Sequence, residues 1–185
     1  MVATATLWAV GASPTTAGTT WANTGNTAGA NDGTFATFIN AASGGTGSIT
    51  LTGYSAQDAL AQMQPASVDS IQATCFWYVN NTTRFTAASC TARLFDGTTA
   101  LGTGATAIGA LSTTTSYSTS LTFTGVATWA NLGALSVQLF ATHATTTAGT
   151  FNIDAVGLVV NYTPSSITPP NVAGGTVGDY LNLVC

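Results

Sequence analysis

Apolar and polar residues alternate with a period of two over most of this chain, the pattern of half-buried β-strands. The longest run is 68–79, VDSIQATCFWYV. It places Ile71, Ala73, Cys75, Trp77 and Val79 on one face and Gln72, Thr74, Phe76 and Tyr78 on the other. The second face is too aromatic to stand bare in water, so it predicts a cover: a helix, an arm of the chain or a neighbouring subunit. After the turn NNTTR, residues 85–95 return with Ala88, Cys90, Ala92 and Leu94 on one face. Residues 151–163, FNIDAVGLVVNYT, form the closing core strand with Val156, Leu158, Val160 and Tyr162 together. Shorter alternations mark strands at 34–41, 48–54, 115–123 and 134–142. Residues 1–9 read as a first strand or a docked arm, and 98–110 as a weak strand or loop.

One stretch, SAQDALAQMQP at 55–65, has a helical pattern. Ser55 can cap it, Asp58 sits in its first turn, Pro65 stops it, and Ala59, Leu60 and Met63 give a narrow apolar face. Such a helix covers an end or edge of a sheet rather than forming a layer. Trp21 is the anchor of the Gly/Asn/Thr-rich segment 10–33, and Trp129 sits in a loop at 124–133. Together these elements predict an all-β fold, an antiparallel β-sandwich of jelly-roll type with about eight or nine strands, one short helix and extended termini. The division expected is an N-terminal strand or arm at 1–20, a sandwich at 21–163 and an extended C-terminal arm at 164–185. No fixed-period repeat points to a solenoid. The arm is rich in Pro and Gly but ends in Tyr180, Leu181, Leu183 and Val184, an apolar cluster suited to docking on the body or on a neighbour.

Composition sharpens this picture. Charged residues make up 4% of the chain, against about 25% in an ordinary domain. There are 37 Thr, 31 Ala and 20 Gly, six Asp, and no Glu or Lys. Arg84 and Arg93 are the only basic residues besides His143, too few to neutralise a phosphate backbone, so no nucleic-acid partner is expected. A surface so poor in charge is expected to be covered in part by other subunits; a Thr-rich extracellular surface is the competing reading. The chain reads as a whole gene product beginning at Met1, without a secretory signal and without a membrane span.

Catalytic chemistry finds little to work with. His143 is the single histidine, read as a solvated loop residue, and neither a metal motif nor a nucleophile elbow is present. Asp32 and Asp154 could form a carboxylate pair in space, but nothing in the sequence singles them out. No catalytic residue, metal or cofactor is expected. Cys75 and Cys90 lie in consecutive strands and could face one another; two buried free thiols and a cross-strand disulfide both remain open. Cys185 is expected to be unpaired.

Five pieces, WANTGNTAGANDGTFAT (21–37), SITLTGY (48–54), PASVDSIQATCFWYV (65–79), TARLFDG (91–97) and FNIDAVGLVVNY (151–162), follow one another in an order that resembles the jelly-roll-like sandwich domain of virion proteins of tailed bacteriophages, especially those of actinobacterial hosts. Two features depart from that family: a lower surface charge, and the helix-like addition at 55–63. The resemblance implies a structural virion protein made in the host cytoplasm. The preferred form is a head decoration or minor capsid protein on the outer capsid surface, bound to the major capsid protein as a homotrimer. Tail or tail-fibre proteins are the alternative partners. Phe76, Tyr78, Tyr180, Leu181, Leu183 and Val184 would then lie in protein interfaces. A secreted carbohydrate-binding sandwich is the remaining reading, with Trp21, Tyr54 and Trp129, and also Trp77, able to stack on glycans.

Overall fold

The computed structural model describes residues 1–14, 20–40, 45–60, 65–145 and 147–165. In chain order the elements are β1 (Val2–Ala3), β2 (Leu7–Trp8), β3 (Gly11–Pro14), β4 (Thr20–Ala22), β5 (Ala36–Asn40), β6 (Thr46–Thr52), α1 (Ala56–Leu60), β7 (Ser67–Val79), β8 (Phe85–Asp96), β9 (Thr99–Ala100), β10 (Thr106–Ala107), β11 (Ser118–Thr124), β12 (Leu135–His143) and β13 (Gly149–Thr163). Single 3-10 turns occupy Thr24–Thr27 and Trp129–Ala134. One sheet runs β11-β7-β13-β5-β4, with β1 and β2 also on β13; the second runs β10-β8-β12-β6-β3, with β9 on β8. The pairings are antiparallel, and the fold is the all-β sandwich the alternation predicts. Four described strands, β1, β2, β9 and β10, are two residues long, too short for alternation to reveal.

The core lies where the inward faces meet. On β7, Ile71, Ala73, Cys75, Trp77 and Val79 are all fully buried. On β8, Cys90, Ala92 and Leu94 point inward, whereas Ala88 is exposed. Strand β13 changes phase: Phe151 and Ile153 face inward before Asp154, and Val156, Leu158 and Val160 after it. A register shift between Ile153 and Ala155 marks the bulge responsible. Cys75 and Cys90 belong to opposite sheets, since the chain crosses the sandwich between β7 and β8. Both are free, and burial pushes each thiol up to about 12.

The outer face of the β7 sheet is partly roofed by the chain itself. Strands β1 and β2 lie along β13, and the Trp8 ring sits 6.1 Å from Phe76. Gly157 makes room for this arm: a Cβ there would meet Thr6 Cγ2 at 2.7 Å and the Trp8 ring at 2.9 Å. Farther along, Phe35 meets Tyr78 edge-on at 5.0 Å. Strand β3 joins the other sheet, so residues 2–14 contribute to both. In α1, Ala56 and Leu60 are buried while Ala59 is exposed, and Met63 lies outside the described residues. Ser55 enters α1 at φ 49°, not in the extended conformation a capping serine takes. The C-terminal arm from 166 onward, with Tyr180, Leu181, Leu183 and Val184, also lies outside the described residues.

Candidate functional site

One sheet is partly roofed by the chain itself; the outer face of the other carries the open depressions. Its strands alternate as they must, and the outward residues form rows fixed by register. Ser13 pairs with Thr50, Thr50 with Gln138, and Gln138 with Arg93. In the next row Ser48 and Thr91 flank Phe140, and at the other side Ser136 faces Phe95. Phe95, Gln138, Phe140 and Arg93 each keep part of their surface exposed. Phe140 follows Ser136 by four residues on β12, so the backbone positions of the two phenylalanines are about 13 Å apart along the strand direction.

Three depressions follow one another across this face. The middle one, about 360 Å³, is walled by Ser13, Thr50, Phe95, Gly97, Thr98 and Gln138. A neighbour of about 370 Å³ shares Thr50 and Gly97 with it and extends to Tyr54, Ser55 and Asp58. On the opposite side, about 330 Å³ opens between Thr91, Arg93, Phe140 and Thr142. The walls carry hydroxyls, the Gln138 carboxamide, the rings of Phe95, Phe140 and Tyr54, and several small or aliphatic residues; Arg93 lines the third depression and Asp58 the second. Arg93 Cζ lies 5.6 Å from the Phe95 ring centroid, within reach of a cation–π contact. Asp96 is tied off by Asn131, which donates to it at 2.9 Å and anchors the 3-10 turn at 129–134.

The aromatic residues singled out from the sequence are placed elsewhere. Trp21 packs on Phe38 and Phe151, at 5.5 and 6.5 Å, and works as the anchor of its segment. Trp129 is half-buried in its 3-10 turn against the core. Tyr54 is 2% exposed and touches only the floor of the Asp58-end depression. Trp77 lies in the core. The structure does not bring these four together on one face, and Tyr54 and Trp77 are too buried to stack on a ligand. Phe95, Gln138 and Phe140 are not among the residues the sequence pattern singles out, although aromatic residues interrupting the polar faces of β8 and β12 are the same signal that marks Phe76 and Tyr78.

No family model matches the chain, and no curated protein resembles it. Among solved structures, a xylan-binding module described as CBM15 aligns with 86% of this chain and 99% of its own, at 16% identity and a TM-score of 0.45. A xylanase10C from Cellvibrio japonicus in complex with xylopentaose aligns with 83% of this chain and 28% of its own, at 17% identity and a TM-score of 0.37. These findings correct the phage resemblance. Neither similar structure is a virion protein, so the head-decoration, minor-capsid and tail readings, and the placement in a virion, are withdrawn. The order of sequence pieces that suggested them follows from alternating strands and Asp-Gly or Asn-rich turns, which sandwiches of many functions share.

One other expectation changes. His143 is not a solvated loop residue: it ends β12, is 1% exposed, and meets Phe85 edge-on at 5.2 Å. Asp154 holds the 31–33 loop. Its carboxylate accepts from Asn31 Nδ2 at 2.7 Å, Gly33 N at 2.7 Å and Asp32 N at 3.2 Å. The Asp32 carboxylate is turned back on Thr34, whose backbone N–H and hydroxyl both donate to it and lower its pKa. Among the described residues no group of three or more His, Cys, Asp or Glu side chains is placed to hold a metal.

Tyr54 allows a direct test of the floor. Its hydroxyl is buried without a described hydrogen-bond partner, and burial, then the nearby Cys75, pushes the phenol well above its usual pKa. An unsatisfied buried hydroxyl costs free energy, so Tyr54→Phe is expected to stabilise the fold by about 1 kcal/mol. Urea denaturation reads this; a loss of stability in the variant would mean that the hydroxyl is bonded.

Proposed function

We propose that this chain is a non-catalytic carbohydrate-binding β-sandwich, exported to act on polysaccharide outside the cell, and that the glycan lies along the outer face of β8, β12, β6 and β3. The observation that carries this reading is the open row of Ser13, Thr50, Gln138 and Arg93, flanked by Phe95 and Phe140. A sugar ring presents an apolar face and a rim of hydroxyls. Aromatic rings take the first, and a carboxamide, hydroxyls and a guanidinium take the second. Ligand sites of this kind combine apolar contact with a few placed polar groups. The rings, spaced along the groove, suit a chain of several sugars rather than a single one.

The test is affinity electrophoresis and calorimetry of the full chain against a panel of oligosaccharides, starting with xylo-oligosaccharides. Phe95→Ala and Phe140→Ala are each expected to weaken binding by roughly tenfold, and the double variant to lose it. Both positions are half-buried on a sheet surface, so circular dichroism should stay that of the parent. Absence of binding across the panel, or binding indifferent to both truncations, would overturn the assignment.

A further inference from the structure

We infer that the groove selects glycans bearing a carboxylate, such as uronic acid residues, and that Arg93 is the selecting group; this rests on the carbohydrate-binding reading above. Arg93 is one of two arginines in a chain without lysine, and it stands in the row at the centre of the open face. The other, Arg84, lies in the turn before β8, where its Cβ is packed beside Gly149.

The guanidinium is held but not neutralised. Its Cζ lies 5.6 Å over the Phe95 ring, a cation–π contact that favours this placement of the side chain. Its described polar contact is a long one, Nη2 donating to the Gly102 carbonyl at 3.4 Å; Nε is buried without a described partner, so the Nη groups are what a ligand can reach. The described carboxylates are engaged or distant. Asp96 accepts from Asn131. Asp154 takes three donors from the 31–33 loop, and Asp32 takes Thr34. Asp69 accepts from Ser67 and Thr163 on the opposite sheet. Asp58 is the carboxylate that reaches the groove, at the far end from Arg93.

A guanidinium prepared in this way matches a carboxylate in two parallel charge-assisted bonds, which a neutral hydroxyl cannot offer. Asp58 repels an anion from its own end, so the charge pattern also gives the bound chain a direction: the acidic sugar lies toward Arg93, Phe140 and Thr91.

The experiment compares two ligands of one backbone, a neutral xylo-oligosaccharide and the same oligosaccharide carrying a glucuronic acid branch, by calorimetry on the full chain. The acidic ligand is expected to bind roughly tenfold tighter at low salt. That preference should shrink in 1 M salt while the neutral ligand is unaffected. Arg93→Gln should bring the two ligands to equal affinity, and Arg93→Lys should keep a reduced preference. Equal binding of both ligands by the parent, a preference that survives in Arg93→Gln, or one insensitive to salt overturns the selection by Arg93 and leaves carbohydrate binding standing. If neither ligand nor any other glycan of the panel binds, both the selection and the binding reading fall together.

Discussion

Replacing Trp77 by alanine is expected to remove about 3–5 kcal/mol of stability. The side chain is fully buried, with Phe151 at 5.4 Å and Tyr117 at 5.8 Å from its ring, and its Nε1–H donates to Thr119 Oγ1 at 2.9 Å. The variant loses the transfer free energy of an indole, leaves a cavity between two sheets whose backbones are locked by their ladders, and strands a hydroxyl on β11. Trp77→Phe separates these effects. It keeps an aromatic ring against Phe151 but gives up the hydrogen bond, and should cost roughly 1–2 kcal/mol. Whole domains are stable by about 5–15 kcal/mol, so the alanine variant should populate unfolded chain at room temperature in mild denaturant. Urea titration followed by far-ultraviolet circular dichroism measures both. A loss under about 1 kcal/mol for Trp77→Ala would mean that the β7–β13–β11 contact is not the centre of the core.

That centre was readable in the sequence because a two-residue period reports burial directly. The face carrying Ile71, Ala73, Cys75, Trp77 and Val79 is buried throughout. The phase change in FNIDAVGLVV, from Phe151 and Ile153 to Val156 and Leu158, was also present in the letters, and a bulge at Asp154 is its physical meaning. What periodicity does not carry is which strand goes to which sheet. Cys75 and Cys90 lie in consecutive strands yet in opposite layers, because the link between β7 and β8 crosses the sandwich instead of making a hairpin. Outward aromatic residues are ambiguous in the same way. Phe76 and Tyr78 meet Trp8 and Phe35 of their own chain, while Phe95 and Phe140, also half-buried, line depressions on the other sheet, and alternation alone gives both pairs the same signature. The groove arises from pairing β12 with both β6 and β8, which places Gln138 between Thr50 and Arg93 from distant parts of the chain.

The bulge at Asp154 also governs how the protein responds to acid. Asp154→Ala should cost about 1–3 kcal/mol, because Asn31 Nδ2 and the backbone N–H groups of Asp32 and Gly33 lose their shared acceptor. Loosening that loop should also speed hydrogen exchange through 31–35 and free Phe35 from Tyr78. The pH dependence takes a less familiar direction. Burial raises the Asp154 pKa above the ordinary carboxylate value, the backbone donors of Gly33 and Asp32 pull it down less strongly, and the charge on Asp32 adds to the rise. A raised folded-state pKa means that this group's contribution is fully present below the unfolded value and is lost as pH rises through the folded value. Asp32 and Asp69 behave oppositely: their hydrogen-bonded carboxylates have lowered pKa values, and their contributions disappear as pH falls. The total stability curve mixes the two, but subtraction of Asp154→Asn isolates the first. The stability advantage of the parent over Asp154→Asn should therefore grow as pH is lowered from neutral into the carboxylate range. Parallel denaturation series at several pH values measure that difference. An advantage that instead shrinks in acid would mean that the three donors outweigh burial, and that the ionised carboxylate is what holds the 31–33 loop to β13.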